Sequence, residues 1–252
     1  MQRILLFLLF VLPGLIGFSQ DTRGLKEAMA AFWESQSQNE TQDDAKKIVK
    51  LKPDFYEVYR MLQKGKPYSS EIKKGFVEKT IFIPPGLKHY NVIFVPFDYN
   101  PEQKYDVKIF LHGAVSQSNP KQLLRWIDTT DLQWKNVKHI GIYPAAWCES
   151  KWWNPSQTEN ICQLIGFVKE NYNVDDDRVY ISGISDGATG AFYFANAIPS
   201  LFSGYIPMIG SLEAIAFNGE KQVYFQNLQD QRFFVVNTAK DPIFKLMHVK
   251  PY

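Results

Sequence analysis

A serine flanked by two glycines stands where a short apolar run gives way to a stretch of small residues. Residues 179–181 are β-branched and aromatic and predict a buried strand, while residues 188–195 suit a helix packed on a sheet. Between them, Gly183, Ser185 and Gly187 form a G-x-S-x-G pattern. A strand, a sharp turn and a helix in this order raise a serine hydroxyl from the sheet edge, and glycines let the two backbones approach closely. We therefore predict Ser185 as a nucleophile; a plain strand–helix turn is the alternative.

A nucleophilic serine of this kind needs N–H groups that stabilise a developing oxyanion. Asp186 follows the serine at the predicted helix N-terminus, so its backbone N–H is one candidate. Its side chain is expected to favour the helix N-terminus and to take no part in proton transfer. Gly113 and Ala114 follow the end of a predicted strand, where a second donor is needed. We assign His112 a role in shaping that loop; the alternative is a strand-terminal turn with a hydrogen-bonded histidine.

Asp241 lies shortly after the last clear strand pattern, residues 233–237. A carboxylate at the carboxyl end of a late strand is placed to orient a catalytic histidine. The rival interpretation is a cap for a following helix that has Pro242 at its first position. One residue could do both, so both interpretations stay open.

The apolar periodicity divides the chain into a helical extension, residues 20–75, and an alternating core, residues 76–252. The predicted strands of the core cover residues 76–83, 90–95, 107–111, 140–143, 179–181, 205–209 and 233–237. Helices are predicted over residues 119–127 and 158–172, after the serine, and near Pro242. Strands that alternate with helices predict an α/β fold with a doubly wound, mostly parallel sheet.

Length and composition limit the classes of protein. A chain of 252 residues has room for one large α/β domain with a small extension. A formal net charge of +2 without a basic cluster argues against a nucleic-acid partner. The four histidines are scattered and no C-x-x-C pattern occurs, so we predict neither a metal site nor a cofactor.

The N-terminus has the pattern of an export signal. A positive residue and a short apolar stretch end in small residues that fit a cleavage site. We predict a signal peptide over residues 1–19, a secreted or periplasmic mature protein, and no membrane association after cleavage. In that oxidising setting, Cys148 and Cys162 either form a disulfide or remain as one buried and one loop thiol.

Together these features resemble the α/β-hydrolase superfamily, in particular secreted esterases similar to polyhydroxybutyrate depolymerases and feruloyl-type esterases. The matching segments are residues 110–113, 177–187 and 237–242. The resemblance implies a nucleophile, a triad acid and an oxyanion hole, which are Ser185, Asp241, and the amides of Asp186 with Gly113 or Ala114. The helical extension lies outside this pattern.

One departure from the family concerns the catalytic base. In the resembling proteins the histidine follows the acid by one more helix and strand. Here His248 alone follows Asp241, and on the predicted helix it lies about 10 Å along the axis from the acid. His89 and His139 come too early in the chain order. We therefore predict a core that is truncated at its C-terminus, lacks its last strand, has its catalytic histidine beyond Tyr252, and is weak or inactive as an enzyme.

A loop between two prolines contains three tryptophans, Trp147, Trp152 and Trp153. In the resembling fold this loop lies near the mouth of the pocket, where the rings could stack on an aromatic or sugar-linked acyl group. The alternative is a loop that is fixed by buried tryptophans, because an exposed aromatic cluster is unusual in a soluble protein.

The resemblance implies a secreted serine hydrolase that cleaves carboxylic esters through an acyl-enzyme, with a small-molecule or polymer-linked ester as partner and no cofactor. One rival is a peptidase of the prolyl-oligopeptidase kind, although no propeller-like repeats precede the core. The other is a non-catalytic hydrolase-like domain that binds glycan or polymer through the tryptophan loop. An intact Ser185 without a base fits this second rival as well as it fits truncation. The sequence predicts no oligomeric state.

Overall fold

The computed structural model of the protein describes residues 22–35, 37–217 and 224–245. They fall into two compact units, which divide between Pro67 and Tyr68. The predicted signal peptide, residues 1–19, and His248 lie outside the described residues.

The first unit is helical. Its described residues form α1 Thr22–Glu34, α2 Gln38–Lys50 and α3 Phe55–Lys64. Ser37 and Asp54 begin α2 and α3 as N-caps, because each side-chain oxygen accepts a hydrogen bond from a first-turn N–H. Leu25 and Met29 of α1 pack against Ile48 of α2, so the apolar face of each helix closes on the other.

The second unit is built on one sheet. Its strands are β1 Gly75–Ile83, β2 Leu87–Val95, β3 Tyr105–Leu111, β4 Ile140–Pro144, β5 Val174–Ile184 and β6 Gly204–Met208. Within the described part of the unit, these six strands lie in the order β1-β2-β4-β3-β5-β6. β1, β2 and β4 pair antiparallel, whereas β4, β3, β5 and β6 run parallel. The prediction of an α/β fold with a mostly parallel sheet is confirmed.

Residues 233–236 extend the sheet beyond β6. The Phe234 N–H donates to the Tyr205 carbonyl at 2.9 Å, and the Val236 N–H donates to the Pro207 carbonyl at 3.0 Å. Both bridges of this segment to β6 are parallel. The segment therefore takes the place next to β6 where the strand over residues 233–237 was predicted.

Helices connect the parallel strands. The described helices of this unit are α4 Pro155–Asn171, α5 Asp186–Ala197 and α6 Glu213–Phe217. Single 3₁₀ turns cover Pro120–Leu124, Leu132–Asn136, Pro199–Leu201 and Phe225–Leu228. α4 buries Ile161, Leu164, Ile165 and Val168, which share one face, and these pack into the same core as the buried strand residues.

Two predicted helices differ from the structure. Residues 119–127 contain only the 3₁₀ turn Pro120–Leu124. No helix begins near Pro242 within the described residues; the Asp241 carboxylate there accepts the Ile243 and Phe244 N–H groups in a short turn.

Parallel pairing has one consequence for the site. β3, β4, β5, β6 and residues 233–236 all end at the same edge of the sheet, so the loops that follow them meet there. Over the ranges that the structure describes, no helix is both long and apolar enough to cross a membrane.

Candidate active site

Ser185 is the single residue between β5 and α5. Its backbone has φ +55° and ψ −122°, a conformation that costs a non-glycine residue roughly 1–3 kcal/mol. Its N–H donates to the Met208 carbonyl at 3.0 Å, and its carbonyl accepts from the Ala188 and Thr189 N–H groups at 2.9 and 3.1 Å. These bonds hold the strained turn from both sides. The side chain is half-buried, so the hydroxyl is not enclosed in the core.

The two glycines of the motif are required by close backbone approach. A Cβ atom on Gly183 would lie 2.3 Å from the Gly187 carbonyl oxygen. On Gly187 it would lie 2.0 Å from the carbonyl oxygen of Leu111, in the neighbouring strand β3. Both distances are far below a van der Waals contact, so the motif spacing is set by sterics and not by local turn preference.

The loop after β3 lies directly against the serine. A Cβ atom on Gly113 would be 3.0 Å from the Ser185 Cβ and 3.6 Å from its Oγ. The next residue, Ala114, has φ +58°, the left-handed region. The structure thus brings together the residues that the sequence predicted as nucleophile and oxyanion donors.

His112 anchors this loop through both ring nitrogens. Its Nε2 accepts a hydrogen bond from the Ala146 N–H at 3.0 Å, so that nitrogen carries no proton. The proton therefore resides on Nδ1, which donates to the Gly113 carbonyl at 2.6 Å. The ring is buried, and burial lowers the pKa of His112 below its usual range. A neutral imidazole with both nitrogens occupied shapes the loop, in agreement with the sequence interpretation.

The side chain of Asp186 does more than the sequence predicted. We expected it to interact with the helix N-terminus, but its Oδ2 accepts a hydrogen bond from the Val115 N–H at 3.0 Å. The contact joins the first residue of α5 to the loop after β3. Local sequence gives no signal of it, because the two residues are far apart in the chain and meet only through the sheet.

The three tryptophans of the loop are buried. Trp147, Trp152 and Trp153 expose 4%, 0% and 5% of their surface. The Trp152 Nε1 donates to the His112 carbonyl at 2.9 Å, and its Cβ fills the space beside Gly190 of α5. The prediction that these rings stack on substrate is therefore corrected in favour of the alternative, a loop fixed by buried tryptophans. Rings with no exposed face cannot receive an acyl group.

Buried amides hold the other side of this loop, and sequence reasoning missed them. Gln157 of α4 donates through Nε2 to the Ala145 and Ser150 carbonyls at 2.9 and 3.0 Å. Asn160, one turn further along α4, exchanges hydrogen bonds of 3.0 and 3.1 Å with Asn91 of β2. Both α4 amides are fully buried and satisfied by these hydrogen bonds. The one available signal was that they recur on the helix face that also bears Ile161 and Leu164.

Asp241 follows residues 233–236, which end at the sheet edge where Ser185 lies. The Ile209 N–H donates to the Val236 carbonyl at 2.8 Å, which sets residue 236 level with the end of β6. Two strand spacings, about 10 Å, separate this segment from β5. The Asp241 Oδ1 accepts the Ile243 and Phe244 N–H groups at 2.9 and 2.6 Å, which are the contacts of a cap, although the predicted helix does not follow within the described residues.

Three histidines lie within the described ranges, and none is arranged as a base for Ser185. His112 has both nitrogens occupied. His139 precedes β4 and therefore lies at the opposite edge of the parallel sheet. His89 is fully buried against Trp147, with ring centroids 5.0 Å apart, and burial lowers its pKa to about 4. Among the described residues, neither ring nitrogen of His89 has a hydrogen-bond partner.

The cysteines and the acidic side chains form no further centre. Cys148 and Cys162, both within the described ranges, are free thiols, the first exposed and the second half-buried. Burial raises the pKa of the Cys162 thiol, and Glu159 adds to the effect. Among the residues that the structure describes, no group of three or more His, Cys, Asp or Glu side chains is placed to hold a metal ion.

Comparisons with known proteins give likeness at the level of the fold. No family model and no curated protein sequence matches the chain. Among solved structures, a thermostable esterase matches with a TM-score of 0.56 and 23% identity over 70% of this chain. The match covers 49% of the esterase, so this chain spans about half the length of that protein.

Two further structures match at comparable scores. Esterase 2 of Thermogutta terrifontis, phosphoramylated by tabun, gives a TM-score of 0.52 at 12% identity, covering 70% of this chain and 76% of the other. A Bacteroides ovatus protein assigned as a dipeptidyl aminopeptidase IV gives a TM-score of 0.53 at 15% identity. The match covers 74% of this chain and 31% of the other. At these identities the likeness is one of architecture. The chain is therefore a protein of the α/β-hydrolase fold.

Proposed function

We propose that this protein is a serine hydrolase that cleaves carboxylic esters through an acyl-enzyme on Ser185. The observation on which the proposal depends is the strained serine turn, at φ +55°, with the Gly113 loop packed directly against it. A residue held in such a conformation is expected at a functional site, because only surrounding structure keeps it there. A plain strand–helix turn would not need that strain.

In the proposed mechanism the Ser185 Oγ attacks the ester carbonyl carbon and a base accepts its proton. The oxyanion that forms on the carbonyl oxygen is stabilised by the Asp186 N–H and by the N–H of Gly113 or Ala114. Collapse of this intermediate expels the alcohol, which takes the proton back from the base. Water then attacks the acyl-enzyme by the same steps and releases the acid.

The mechanism also needs a base and an acid that orients it. Asp241 is proposed as the acid because it follows the parallel segment 233–236 at the edge where Ser185 lies. The base is proposed to be a histidine outside the described residues, since His89, His112 and His139 are otherwise engaged or misplaced. Without that base in position the Ser185 hydroxyl is a poor nucleophile, so we expect weak turnover.

The substrate is proposed to be a small-molecule or polymer-linked ester, hydrolysed without a cofactor by a secreted or periplasmic protein. The alternative of a glycan-binding domain used the tryptophan loop as its binding surface, and the burial of the three rings removes that surface. The peptidase alternative shares the fold and gains no specific observation beyond it.

A fluorophosphonate probe tests the nucleophile. The chain, its Ser185→Ala variant and a Ser182→Ala control are compared, because Ser182 lies in the same strand with its Oγ bonded to the Ile109 carbonyl at 3.2 Å. We expect labelling of the chain and the control but not of Ser185→Ala, and faster labelling when imidazole is added as an external base. Equal labelling of all three proteins would remove Ser185 from the mechanism.

A further inference from the structure

The carboxylate of Asp186 joins two segments that both border the serine. Its Oδ2 accepts the Val115 N–H at 3.0 Å, across a sequence separation of 71 residues. Val115 is 3% exposed, so this N–H is shielded from water. A shielded N–H that loses its acceptor is left unsatisfied, which is costly for the conformation that buries it.

The loop after β3 needs such a restraint at this point. On its N-terminal side, His112 fixes Gly113 through the Nδ1 contact and reaches across to Ala146 through Nε2. On its C-terminal side, Ala114 has φ +58°, which a residue with a Cβ adopts only when its surroundings impose it. The bond to Val115 lies directly after this residue and is therefore placed to impose that conformation.

We propose that Asp186 is a positioning residue: its carboxylate latches the loop after β3 to the start of α5 and so aims the Gly113 and Ala114 amides at the carbonyl oxygen of the ester that Ser185 attacks. The inference rests on the proposed ester hydrolysis at Ser185 and adds a role for a side chain that the mechanism above uses only through its backbone. The latch sets the distance between the two oxyanion donors, because Asp186 supplies one of them and holds the other. It touches neither substrate nor the reacting proton.

The latch makes a prediction that a helix-dipole role does not. Asp186→Asn removes the negative charge at the α5 N-terminus but keeps an oxygen that can accept the Val115 N–H. Asp186→Ala removes both. If the carboxylate only favoured the helix N-terminus, the two variants would behave alike.

Hydrogen exchange reads the latch without requiring activity. For peptides that contain residues 113–117, Asp186→Ala is expected to speed exchange of the Val115 amide at least tenfold, and Asp186→Asn to stay within about threefold of the parent chain. If Asp186→Ala does not fold, Asp186→Ser replaces it, because a hydroxyl is too short to reach Val115. Unchanged exchange in the variant without an acceptor, or equal acceleration in both variants, overturns the latch.

Kinetics then connect the latch to the oxyanion hole. Loss of one oxyanion donor lowers kcat by about 10²–10³-fold, so displacement of the loop in Asp186→Ala is expected to lower kcat by about 10–100-fold with little change in KM. Asp186→Asn, which keeps an acceptor for the Val115 N–H, is expected to retain most of the parent kcat. Ser185-dependent turnover that is equal in all three proteins overturns the positioning role and leaves the proposed function standing. If the parent chain shows no Ser185-dependent turnover, the proposed function fails, and exchange still decides whether the latch exists.

Discussion

The close packing of the elbow on β3 can be tested by adding one methyl group. In Gly187→Ala the new Cβ would lie 2.0 Å from the Leu111 carbonyl oxygen and 2.8 Å from that of His112. An ordinary contact begins near 3.4 Å, so α5 and β3 must separate by about 1.4 Å, and neither obstacle is a flexible side chain. Overpacking of this kind costs about 1–3 kcal/mol, and backbone obstacles place the expected loss in the upper part of that range.

A helical glycine elsewhere in the same unit gives the matched control. Gly166 of α4 is exposed, and nothing lies within 4 Å of the position where its Cβ would be. Gly166→Ala is therefore expected to stabilise the helix by about 0.5–1 kcal/mol. Alanine is also the better helix former at position 187, so without the close contact that substitution too would be neutral or stabilising. Whether Gly187→Ala lowers or raises the free energy of unfolding therefore decides whether the close contact exists.

Thermal unfolding followed by circular dichroism measures both variants. For a domain of 150–250 residues, 1 kcal/mol corresponds to about 2–4 °C in Tm, so a loss of about 2–3 kcal/mol in Gly187→Ala is expected to lower the Tm by roughly 4–12 °C. Gly166→Ala is expected to raise it by about 1–4 °C under the same conditions. A Gly187→Ala protein that melts at or above the temperature of the Gly166→Ala protein would refute the proposed contact between elbow and strand.

Three further outcomes are expected. Asp241→Asn keeps an oxygen that can accept the Ile243 and Phe244 N–H groups, so the fold should persist. If Asp241 is the triad acid, Ser185-dependent turnover should fall by about 10⁴-fold. Unchanged turnover would mean that the carboxylate only closes the turn. His89 titrates near 4 when folded and near 6.5 when unfolded, so the unfolded chain binds the extra proton between these values, and stability is full above pH 6.5 and declines as the pH falls. Between pH 7 and pH 5 the free energy of unfolding, measured by denaturant titration, should therefore fall by roughly 2 kcal/mol less in His89→Phe than in the parent chain. An identical fall in both proteins would contradict the burial of a neutral ring. With a thiol reagent at pH 8, exposed Cys148 should react within the mixing time and half-buried Cys162 more slowly; one shared slow phase would disagree with their exposures.

The strand and elbow positions were predictable because their causes are local. A β-branched run and two glycines around Ser185 are sufficient to indicate a strand, a tight turn and a helix, and the structure places them within a few residues of the prediction. The same holds for α4, whose apolar spacing marks its buried face. Alternation of strands and helices was enough for the fold class.

The contacts that complete the candidate site were not predictable, because they join segments that meet only in the folded chain. Nothing near Asp186 in sequence indicates that its carboxylate accepts from Val115. The burial of Trp152 and Gln157 depends on the way α4 and the preceding loop pack, and the sequence left exposed and buried tryptophans open as alternatives. The helix predicted near Pro242 was wrong: the Asp241 carboxylate makes the contacts of a cap to the Ile243 and Phe244 N–H groups, yet residues 242–244 form bends and no helix.

The strand order also gives an expectation for how the chain folds. β1 and β2 form a hairpin in which Ile83, at the end of β1, pairs with Leu87, at the start of β2. Because the two residues are close in sequence, this edge of the sheet can assemble early. The central strand β3 must instead wait for partners roughly 30 and 70 positions later, and such distant pairings are slow to nucleate. During synthesis β3 therefore leaves the ribosome long before β5 can cover it, and its unpaired edge is open to other chains in that interval. Chaperone demand and low-temperature expression yields should accordingly respond most to substitutions in β3 and β5, and least to those in the hairpin.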